Sequence, residues 1–392
     1  MEYDELLELV YEAYYDCRKN KRRKPSAVLF EWNYEIRLGE LTRELYEKTY
    51  YPTTSVVFPV TKPKAREVFA ANFRDRIVHH LLMMRFGELI DAEMIDDTYN
   101  CRKDKGVFFA QQRLEEEVRR VSHNYTRKAY VLSGDIEGFF MAIDTKKLWQ
   151  MVEILIRDKY KGEDIEWWLW LFKTVVMHRP ETDCVFHGDK RILDALPDNK
   201  SQFRSGGYGM PIGNYYVQIL GNYYLTPFDI FMQVLVGKKG FYCRFVDDFK
   251  AVIPKLSLLY KIAVEARVFL WDNLHLRLHR KKFSIMEVYK GVSFVGCVIK
   301  PWGRYSSNRI IGNAFCAFHR SYKSAEDMIA SYNSYMGFLI RSKTYAIRWK
   351  LYLTIPEKIR KQIVCINMKK YTIRDGLDNT HAKADLLLSG LQ

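Results

Sequence analysis

Two adjacent carboxylates interrupt an otherwise apolar stretch of the chain, Phe241-Tyr-Cys-Arg-Phe-Val-Asp-Asp-Phe-Lys-Ala-Val-Ile253. The pattern predicts a β-hairpin with Asp247 and Asp248 at its turn, because strand-forming residues run up to the pair and away from it. Burying an unpaired charge costs several kcal/mol, so the pair implies a compensating cation. Carboxylate oxygens suit a Mg²⁺ ion that holds substrate phosphates. An ordinary polar turn is the alternative, since Asp is a common turn residue.

A third carboxylate follows another predicted strand. The chain is apolar from Tyr130 to Leu132 and takes helical spacing from Phe139, so Asp135 lies where a strand ends and a helix begins. If this strand neighbours the Asp247–Asp248 hairpin in one sheet, three aspartates meet. Such a cluster can hold two Mg²⁺ ions, which stabilise the attacking and leaving oxygens of a phosphoryl displacement.

Two nearby acids receive a structural interpretation. Glu137 and Asp144 flank the predicted short helix after Asp135. Acidic side chains are favoured in the first turn of a helix, where they face the positive end of its dipole. We therefore interpret both as solvated helix-start residues rather than metal ligands.

Together the motifs resemble those of a reverse transcriptase, over most of the chain from about Phe30 to Ile340. Asp135 matches the first acidic palm motif, and Phe245-Val-Asp-Asp248 matches the aromatic-x-Asp-Asp motif. The resemblance implies an α+β, right-hand polymerase fold with fingers, an antiparallel-sheet palm backed by helices, and a helical thumb. It also implies RNA-directed DNA polymerase activity with two Mg²⁺ ions, for which Mn²⁺ can substitute. Asp135 and Asp247 would hold both ions, with Asp248 supporting and the Ile136 carbonyl as a further ligand.

A subfamily is indicated by Gly209-Met-Pro-Ile-Gly-Asn-Tyr-Tyr-Val-Gln218. Ile212 stands where most reverse transcriptases have Gln, and Gln218 where most have Pro. This pattern resembles the reverse transcriptases of diversity-generating retroelements, which are related to those of group II introns; the segments Lys62–His80 and Tyr99–Gly106 are similar too. The resemblance implies error-prone cDNA synthesis at template adenines for mutagenic retrohoming, with template RNA, a primer, dNTPs and a small basic accessory protein as partners.

The resemblance assigns nucleotide-binding roles to basic residues. Lys64 and Arg66 would clamp the triphosphate, because Arg suits bidentate phosphate contact. Arg74 is a second candidate, although Arg74-Asp75-Arg76 equally fits a structural ion-pair cluster. Lys282 matches a lysine that protonates the pyrophosphate leaving group, and its neighbour Lys281 leaves that assignment ambiguous.

Three further positions would contact the nucleotide. Phe140 matches the ring stacked under the sugar, which excludes a 2′-hydroxyl and so selects dNTPs; a core aromatic is the alternative. Ile212 and Gly213 would lie near the templating base, with Gln218 closing the motif. Replacing a hydrogen-bonding Gln by Ile removes a polar constraint on base geometry, which gives a physical reason to expect low fidelity.

The chain predicts four regions. They are an N-terminal helix and basic segment (1–39), fingers (40–129), a palm (130–305) and a helical thumb (306–392). The palm contains a long insertion, 179–209, rich in turn formers, which we expect to be a fingers-side loop touching template. The basic run at 18–24 is either a solvated face or a contact for template or a partner protein.

Composition supports a polyanionic partner and an intracellular setting. The 62 Lys and Arg against 47 Asp and Glu give a formal net charge of +15, which suits nucleic acid. Seven scattered Cys without a close Cys-x-x-Cys pair favour reduced thiols over structural zinc. The acidic N-terminus has no apolar segment typical of a signal peptide, and no run approaches the roughly 18 residues of a membrane span. We expect no membrane partner and a cytoplasmic location, in a bacterium or a phage-infected cell.

Two rival functions remain open. One is a phage-defence reverse transcriptase of the abortive-infection type, which extends a protein primer or makes untemplated DNA. The other is a non-catalytic RNA-binding scaffold on a polymerase fold. The three retained aspartates argue against the scaffold, because grouped acids are costly to keep without a function.

Overall fold

The computed structural model describes residues 2–22, 24–61, 64–322 and 324–374. The chain forms two compact units. The first contains residues 1–110 and 130–286, and the second contains residues 111–129 and the described residues from Glu287 onward. In the described part of the chain, no helix is both long and apolar enough to cross a membrane.

Both units contain helices and strands, joined in places by short 3-10 turns. The helices are α1 (Tyr3–Arg18), α2 (Pro25–Glu31), α3 (Tyr34–Tyr46), α4 (Phe73–Ala92), α5 (Val107–Val121), α6 (Phe139–Ala142), α7 (Thr145–Lys159), α8 (Ile165–Val176), α9 (Lys190–Asp194), α10 (Tyr215–Tyr224), α11 (Thr226–Val236), α12 (Leu256–Leu274), α13 (Asn308–Phe318), α14 (Ala325–Leu339), α15 (Tyr345–Thr354) and α16 (Glu357–Arg360). The strands are β1 (Ser55–Val60), β2 (Arg66–Ala70), β3 (Tyr130–Asp135), β4 (Cys184–Phe186), β5 (Phe241–Phe245), β6 (Asp248–Ile253), β7 (Ser284–Glu287), β8 (Val292–Phe294), β9 (Cys297–Lys300), β10 (Gly303–Ser306), β11 (Ile363–Ile366) and β12 (Lys370–Ile373).

The central sheet of the first unit has four strands in the order β5-β6-β3-β7. β6 pairs antiparallel with both β5 and β3. Helices α11 and α12 pack against this sheet and cover its apolar side chains. Phe249 lies so close to Gly134 on the neighbouring strand that a Cβ there would come within 2.2 Å of the ring. The predicted α+β class, with an antiparallel sheet backed by helices, is confirmed.

A smaller sheet of three strands, in the order β2-β1-β4, lies in the same unit. β1 and β2 form an antiparallel hairpin, and β4 pairs parallel with β1. β4 and α9 both belong to the 179–209 segment, where we expected a loop. That segment is therefore partly regular, because Leu193 and Leu196 bury their side chains against Val57 and Phe69 of the sheet.

The second unit combines strands β8, β9 and β10 with helices α13 to α16 and the hairpin β11–β12. Its core is built on aromatic stacking: the rings of Phe318 and Tyr332 lie 3.9 Å apart and nearly parallel, and Tyr371 meets both edge-on. The hairpin was not anticipated in a region predicted to be helical. Of the predicted thumb, residues 375–392 lie outside the described part.

Candidate active site

The pairing of β3 with β6 brings the predicted carboxylates together. Asp135, the last residue of β3, lies directly opposite Asp248, the first residue of β6. The backbone N–H of Ile136 donates a hydrogen bond to the carbonyl of Asp247 at 3.1 Å, so the Asp247 turn is joined to the end of β3. The strands that carry the three aspartates are thus neighbours in one sheet, the condition that the sequence analysis set for the three carboxylates to meet.

Asp247 is presented by a two-residue turn between β5 and β6. Val246, the other turn residue, has φ of 57°, in the left-handed region that β-branched residues rarely adopt. Such a conformation persists only where surrounding contacts enforce it. One contact is visible: Arg244 Nη1 donates to the Val246 carbonyl at 2.8 Å.

Behind the turn lies a buried ion pair that sequence reasoning missed. The Arg244 guanidinium donates to both carboxylate oxygens of Asp229, at 2.7 and 2.6 Å, and both side chains are fully buried. The Tyr242 hydroxyl donates to the same carboxylate at 2.7 Å, and the Asn222 carbonyl accepts from Arg244 at 3.0 Å. The one available signal was Arg244 itself, an arginine inside an apolar strand.

The three aspartates carry more negative charge than the two neighbouring lysines neutralise. Burial raises the pKa of Asp247 to about 6, and the negative charge of Asp135 adds to the effect. Burial likewise raises the pKa of Asp248, which an ion pair with Lys250 partly opposes. Lys282 Nζ donates to both carboxylate oxygens of Asp135, at 2.6 and 2.7 Å. The site thus groups three carboxylates with two lysines.

The donor chemistry of this site fits Mg²⁺, because it offers several carboxylate oxygens and an acid whose ionised form is disfavoured until a cation is near. Among the residues that the structure describes, no three or more His, Cys, Asp or Glu side chains are arranged to hold a metal. Lysine ammonium groups instead neutralise Asp135 and Asp248. Ile136, expected as a carbonyl ligand, is buried and forms a β-bridge with Leu278.

The structure distinguishes the two candidate lysines. Residues Arg280–Lys282 form a 3-10 turn, and the backbone N–H of His279 just before it donates to the Asp135 carbonyl at 2.8 Å. This turn directs Lys282 onto Asp135, whereas the backbone N–H of Lys281 donates to the His279 ring. Of the two, Lys282 is the residue brought to the aspartates.

Phe140 lies on α6, directly after β3. Its ring packs on Phe139 with centroids 5.0 Å apart, and a Cβ on Gly221 would come within 3.0 Å of it. Phe139 is buried, whereas Phe140 is only half-buried. Phe140 therefore packs against the core and remains partly accessible, which accommodates both the sugar contact and the core role considered from the sequence.

The Ile212 motif docks on the smaller sheet. The backbone N–H of Phe69 donates to the Ile212 carbonyl at 2.8 Å. Gly213 has φ of 128°, and a Cβ there would come within 2.4 Å of the Phe69 carbonyl oxygen, so only glycine permits this approach. Gln218 accepts a hydrogen bond from the Asn100 side-chain amide at 3.1 Å. The motif thus connects the smaller sheet to α10.

Two of the three candidate phosphate ligands are exposed to solvent. Lys64 and Arg66 are exposed on the β1–β2 hairpin; Lys62 and Pro63 beside them lie outside the described residues. Arg74 instead forms ion pairs with Glu44 and, at 3.0 Å, with Asp75. The Arg74 guanidinium therefore belongs to a structural ion-pair cluster, which was the alternative considered from the sequence. It does not contact the site aspartates Asp135, Asp247 and Asp248 in the ion pairs described here.

The two acids set aside as helix-start residues have structural partners. Asp144 is the N-cap of α7, where its side chain accepts from the backbone N–H groups of Lys146 and Lys147. Glu137 accepts from the Asn199 side-chain amide at 3.1 Å. The cap confirms the interpretation of Asp144, and the second contact shows that the 179–209 segment reaches the turn after β3.

No protein-family model matches the chain, and neither does any curated protein sequence. Among solved structures the chain is similar to telomerase from Candida albicans in complex with a TWJ fragment of telomeric RNA, with TM-score 0.46 and 10% identity over 84% of this chain and 60% of that one. Apo telomerase from Candida tropicalis gives TM-score 0.49 and 9% identity over 77% of this chain and 55% of that one. Candida tropicalis telomerase truncated from its C-terminal domain gives TM-score 0.46 and 8% identity over 68% and 59%. The chain spans less than two thirds of the length of each.

Proposed function

We propose that this protein is an RNA-directed DNA polymerase, a reverse transcriptase that makes cDNA from a template RNA by nucleotidyl transfer. The observation that carries the proposal is the meeting of Asp135, Asp247 and Asp248 at one end of an antiparallel sheet. Three carboxylates meet two lysine ammonium groups, and burial, together with the charge of Asp135, raises the pKa of Asp247. Such an arrangement stabilises a bound cation at the cost of the free site.

The three carboxylates would hold Mg²⁺, with Asp135 and Asp247 contacting both ions and Asp248 supporting. Two ions bound there would stabilise the attacking and leaving oxygens of an in-line displacement at the nucleotide α-phosphorus. The chain itself contributes position and charge: the strained turn fixes Asp247, and β3 fixes Asp135. Most of the rate enhancement would come from this positioning.

Lys282 has the geometry for a general acid. Attack on the α-phosphorus of a nucleoside triphosphate expels pyrophosphate. Pyrophosphate leaves more readily if one of its oxygens is protonated as its bond to the α-phosphorus breaks. The Lys282 ammonium lies 2.6 Å from Asp135 and so already lies at the edge of the site. We assign Lys282, rather than Lys281, as the proton donor to the leaving group.

The substrate would be a deoxynucleoside triphosphate. The partly accessible Phe140 ring would lie under the sugar and leave no room for a 2′-hydroxyl, while the exposed Lys64 and Arg66 would contact the triphosphate. Arg74 has no part in this assignment, because its guanidinium is held by Glu44 and Asp75.

The proposal also specifies the template, which would be RNA, and the fidelity of copying, which would be low. The net charge of +15 favours a polyanionic template. Ile212, whose side chain carries no hydrogen-bonding group, lies in a motif that resembles those of diversity-generating retroelements. We infer that the enzyme misincorporates opposite template adenine, serves mutagenic retrohoming, and works with a small basic accessory protein.

The test is primer extension on an RNA template of defined sequence, with Mg²⁺ and each dNTP, followed by sequencing of the products. Incorporation that requires Mg²⁺, with errors concentrated opposite adenine, would support both levels of the proposal. Faithful or evenly distributed copying would contradict the adenine-directed part and favour the phage-defence function. No incorporation, with the associated RNA and accessory protein supplied, would contradict the polymerase and favour the RNA-binding scaffold.

A further inference from the structure

Helix α12 carries a stripe of large apolar side chains on its solvent side. Tyr260, Val264, Val268 and Trp271 are 57%, 64%, 49% and 48% exposed. At 100° per residue, these four positions fall within an arc of about 80° along three turns of the helix. We call them the α12 stripe.

The opposite face of the helix is already occupied. Leu259, Ile262, Ala266 and Leu270 are buried in the core of the first unit. The α12 stripe is therefore a second apolar face; one of its members, Trp271, also carries the Arg277 guanidinium 4.6 Å from its ring centroid. Scattered exposed apolar residues need no explanation, but a row spaced four, four and three residues apart is typical of a helix–helix seam.

The stripe is complementary to itself in the antiparallel direction. A two-fold axis passing beside Ala266 places Val264 opposite Val268 of a second copy, and Tyr260 opposite Trp271. The valine pairs lie near the centre of the interface, where the helices approach most closely. The two Tyr260–Trp271 pairs lie at its ends. Self-complementarity of this kind is what an isologous interface requires.

Charges on one flank of the stripe agree with the same axis; on the other flank, Arg267 lies over the Phe283 ring of its own chain, at 6.0 Å from the centroid. Lys261 and Asp272 are exposed on one flank of α12, at opposite ends of the helix. The antiparallel arrangement brings Lys261 of one copy to Asp272 of the other, and symmetry forms this pair twice. Glu265 lies on the same flank, so the flank has mixed charge and is unsuited to tracking a phosphate backbone.

We propose that the α12 stripe is the contact surface of a symmetric dimer, in which α12 of one copy packs antiparallel against α12 of a second copy. The inference concerns assembly and stands apart from the proposed polymerase activity. The interface is small, so the dimer forms reversibly at micromolar concentrations rather than as an obligate assembly.

The experiment is sedimentation equilibrium of the full chain over a range of protein concentrations. The wild type should show a monomer–dimer equilibrium, and Val264→Glu should raise its dissociation constant by at least about tenfold, because the glutamate would be buried without a partner. Val234→Glu is the matched control, since Val234 is 74% exposed on α11 and lies outside the stripe. It should leave the equilibrium unchanged. Both substitutions replace exposed residues, and circular dichroism verifies that each variant is folded.

Charge reversal tests the register of the two helices. Lys261→Glu alone and Asp272→Lys alone should each weaken the dimer, and the double variant should restore it. A wild type that stays monomeric throughout the concentration range, or a Val264→Glu variant that dimerises as the wild type does, would overturn the proposal. Failure of the double variant to restore dimerisation would overturn the antiparallel register.

Discussion

Two aspartates near the β5–β6 hairpin, Asp229 and Asp247, differ in how far the surrounding protein neutralises their charge. Asp229, behind the hairpin, is fully buried but receives hydrogen bonds from Arg244 and Tyr242. Asp247, at the turn, lies near Asp135 and Asp248, and its pKa is raised to about 6 by burial and by Asp135. Arg244 thus neutralises the charge of Asp229, whereas the charge of Asp247 has no such partner group in direct contact among the hydrogen bonds described above. Asp229 is neutralised as part of the fold, whereas Asp247 is the carboxylate that we propose as a cation ligand.

Arg244 contacts both regions. Besides neutralising Asp229, Arg244 donates to the Val246 carbonyl in the turn that presents Asp247. The closed network therefore holds the open site in its strained conformation. Substitutions in the two regions should accordingly fail in different ways, one in chemistry and the other in stability.

The largest effect should come from Asp247→Asn. The substitution keeps the size of the side chain but removes a charged ligand, so dNTP incorporation should fall by at least about 1,000-fold. Primer extension under single-turnover conditions measures the loss. Asp144→Asn is the matched control, because Asn caps a helix as well as Asp does and Asp144 caps α7. Equal activity of the two variants would show that Asp247 is not a ligand.

Asp229→Asn should instead act on stability. It leaves the Arg244 guanidinium buried without a compensating charge, which costs about 3–5 kcal/mol. Urea unfolding should show the loss, and the double variant Asp229→Leu with Arg244→Met should recover a large part of it, because both buried charges are then gone. A loss below about 1 kcal/mol in the single variant would contradict the contrast between the two regions.

Lys282→Met should lower incorporation by about 100-fold, the usual contribution of a general acid. Lys281→Met provides the matched control and should retain the rate. If both lysine variants behaved alike, the contact between Lys282 and Asp135 would have no catalytic meaning.

The smallest effect concerns stability at the open site. The pKa of Asp247 is higher in the folded than in the unfolded protein, so ionising this carboxyl disfavours the folded state. Its contribution to stability should fall as pH rises from about 4 to 6, between the ordinary and the raised pKa. Asp247→Asn, which cannot ionise, should be more stable than the wild type by about 1–2 kcal/mol at pH 7 and equally stable near pH 3.5. Urea unfolding at both pH values, without divalent ions, measures the difference; a variant less stable at pH 7 would contradict it.

Local sequence patterns predicted several of the strands and helices around the site. Apolar runs on both sides of Asp247 predicted the hairpin, and the apolar run before Asp135 predicted a strand, because each signal lies within one element. The exposed Lys64 and the capping Asp144 were likewise local features. The sequence did not decide whether the two strands are neighbours, and the pairing of β3 with β6 supplies that step.

Contacts between distant segments could not be predicted in this way. The Arg244–Asp229 pair joins β5 to α11, and no local pattern links an arginine in a strand to an aspartate in a helix. The choice of Lys282 over Lys281 depends on a 3-10 turn whose direction is fixed by a hydrogen bond to Asp135. The 179–209 segment also contains β4, which is held by its pairing with β1 and not by its own sequence.

The central claim is that the charge left open at Asp247 serves a divalent cation. Its most direct test is a titration of Mn²⁺, a paramagnetic substitute for Mg²⁺, into the wild type, Asp247→Asn and Asp144→Asn, with free Mn²⁺ followed by electron paramagnetic resonance. We predict that the wild type and Asp144→Asn bind Mn²⁺ with the same affinity and that Asp247→Asn binds at least about tenfold more weakly. Equal binding by all three proteins would contradict the account.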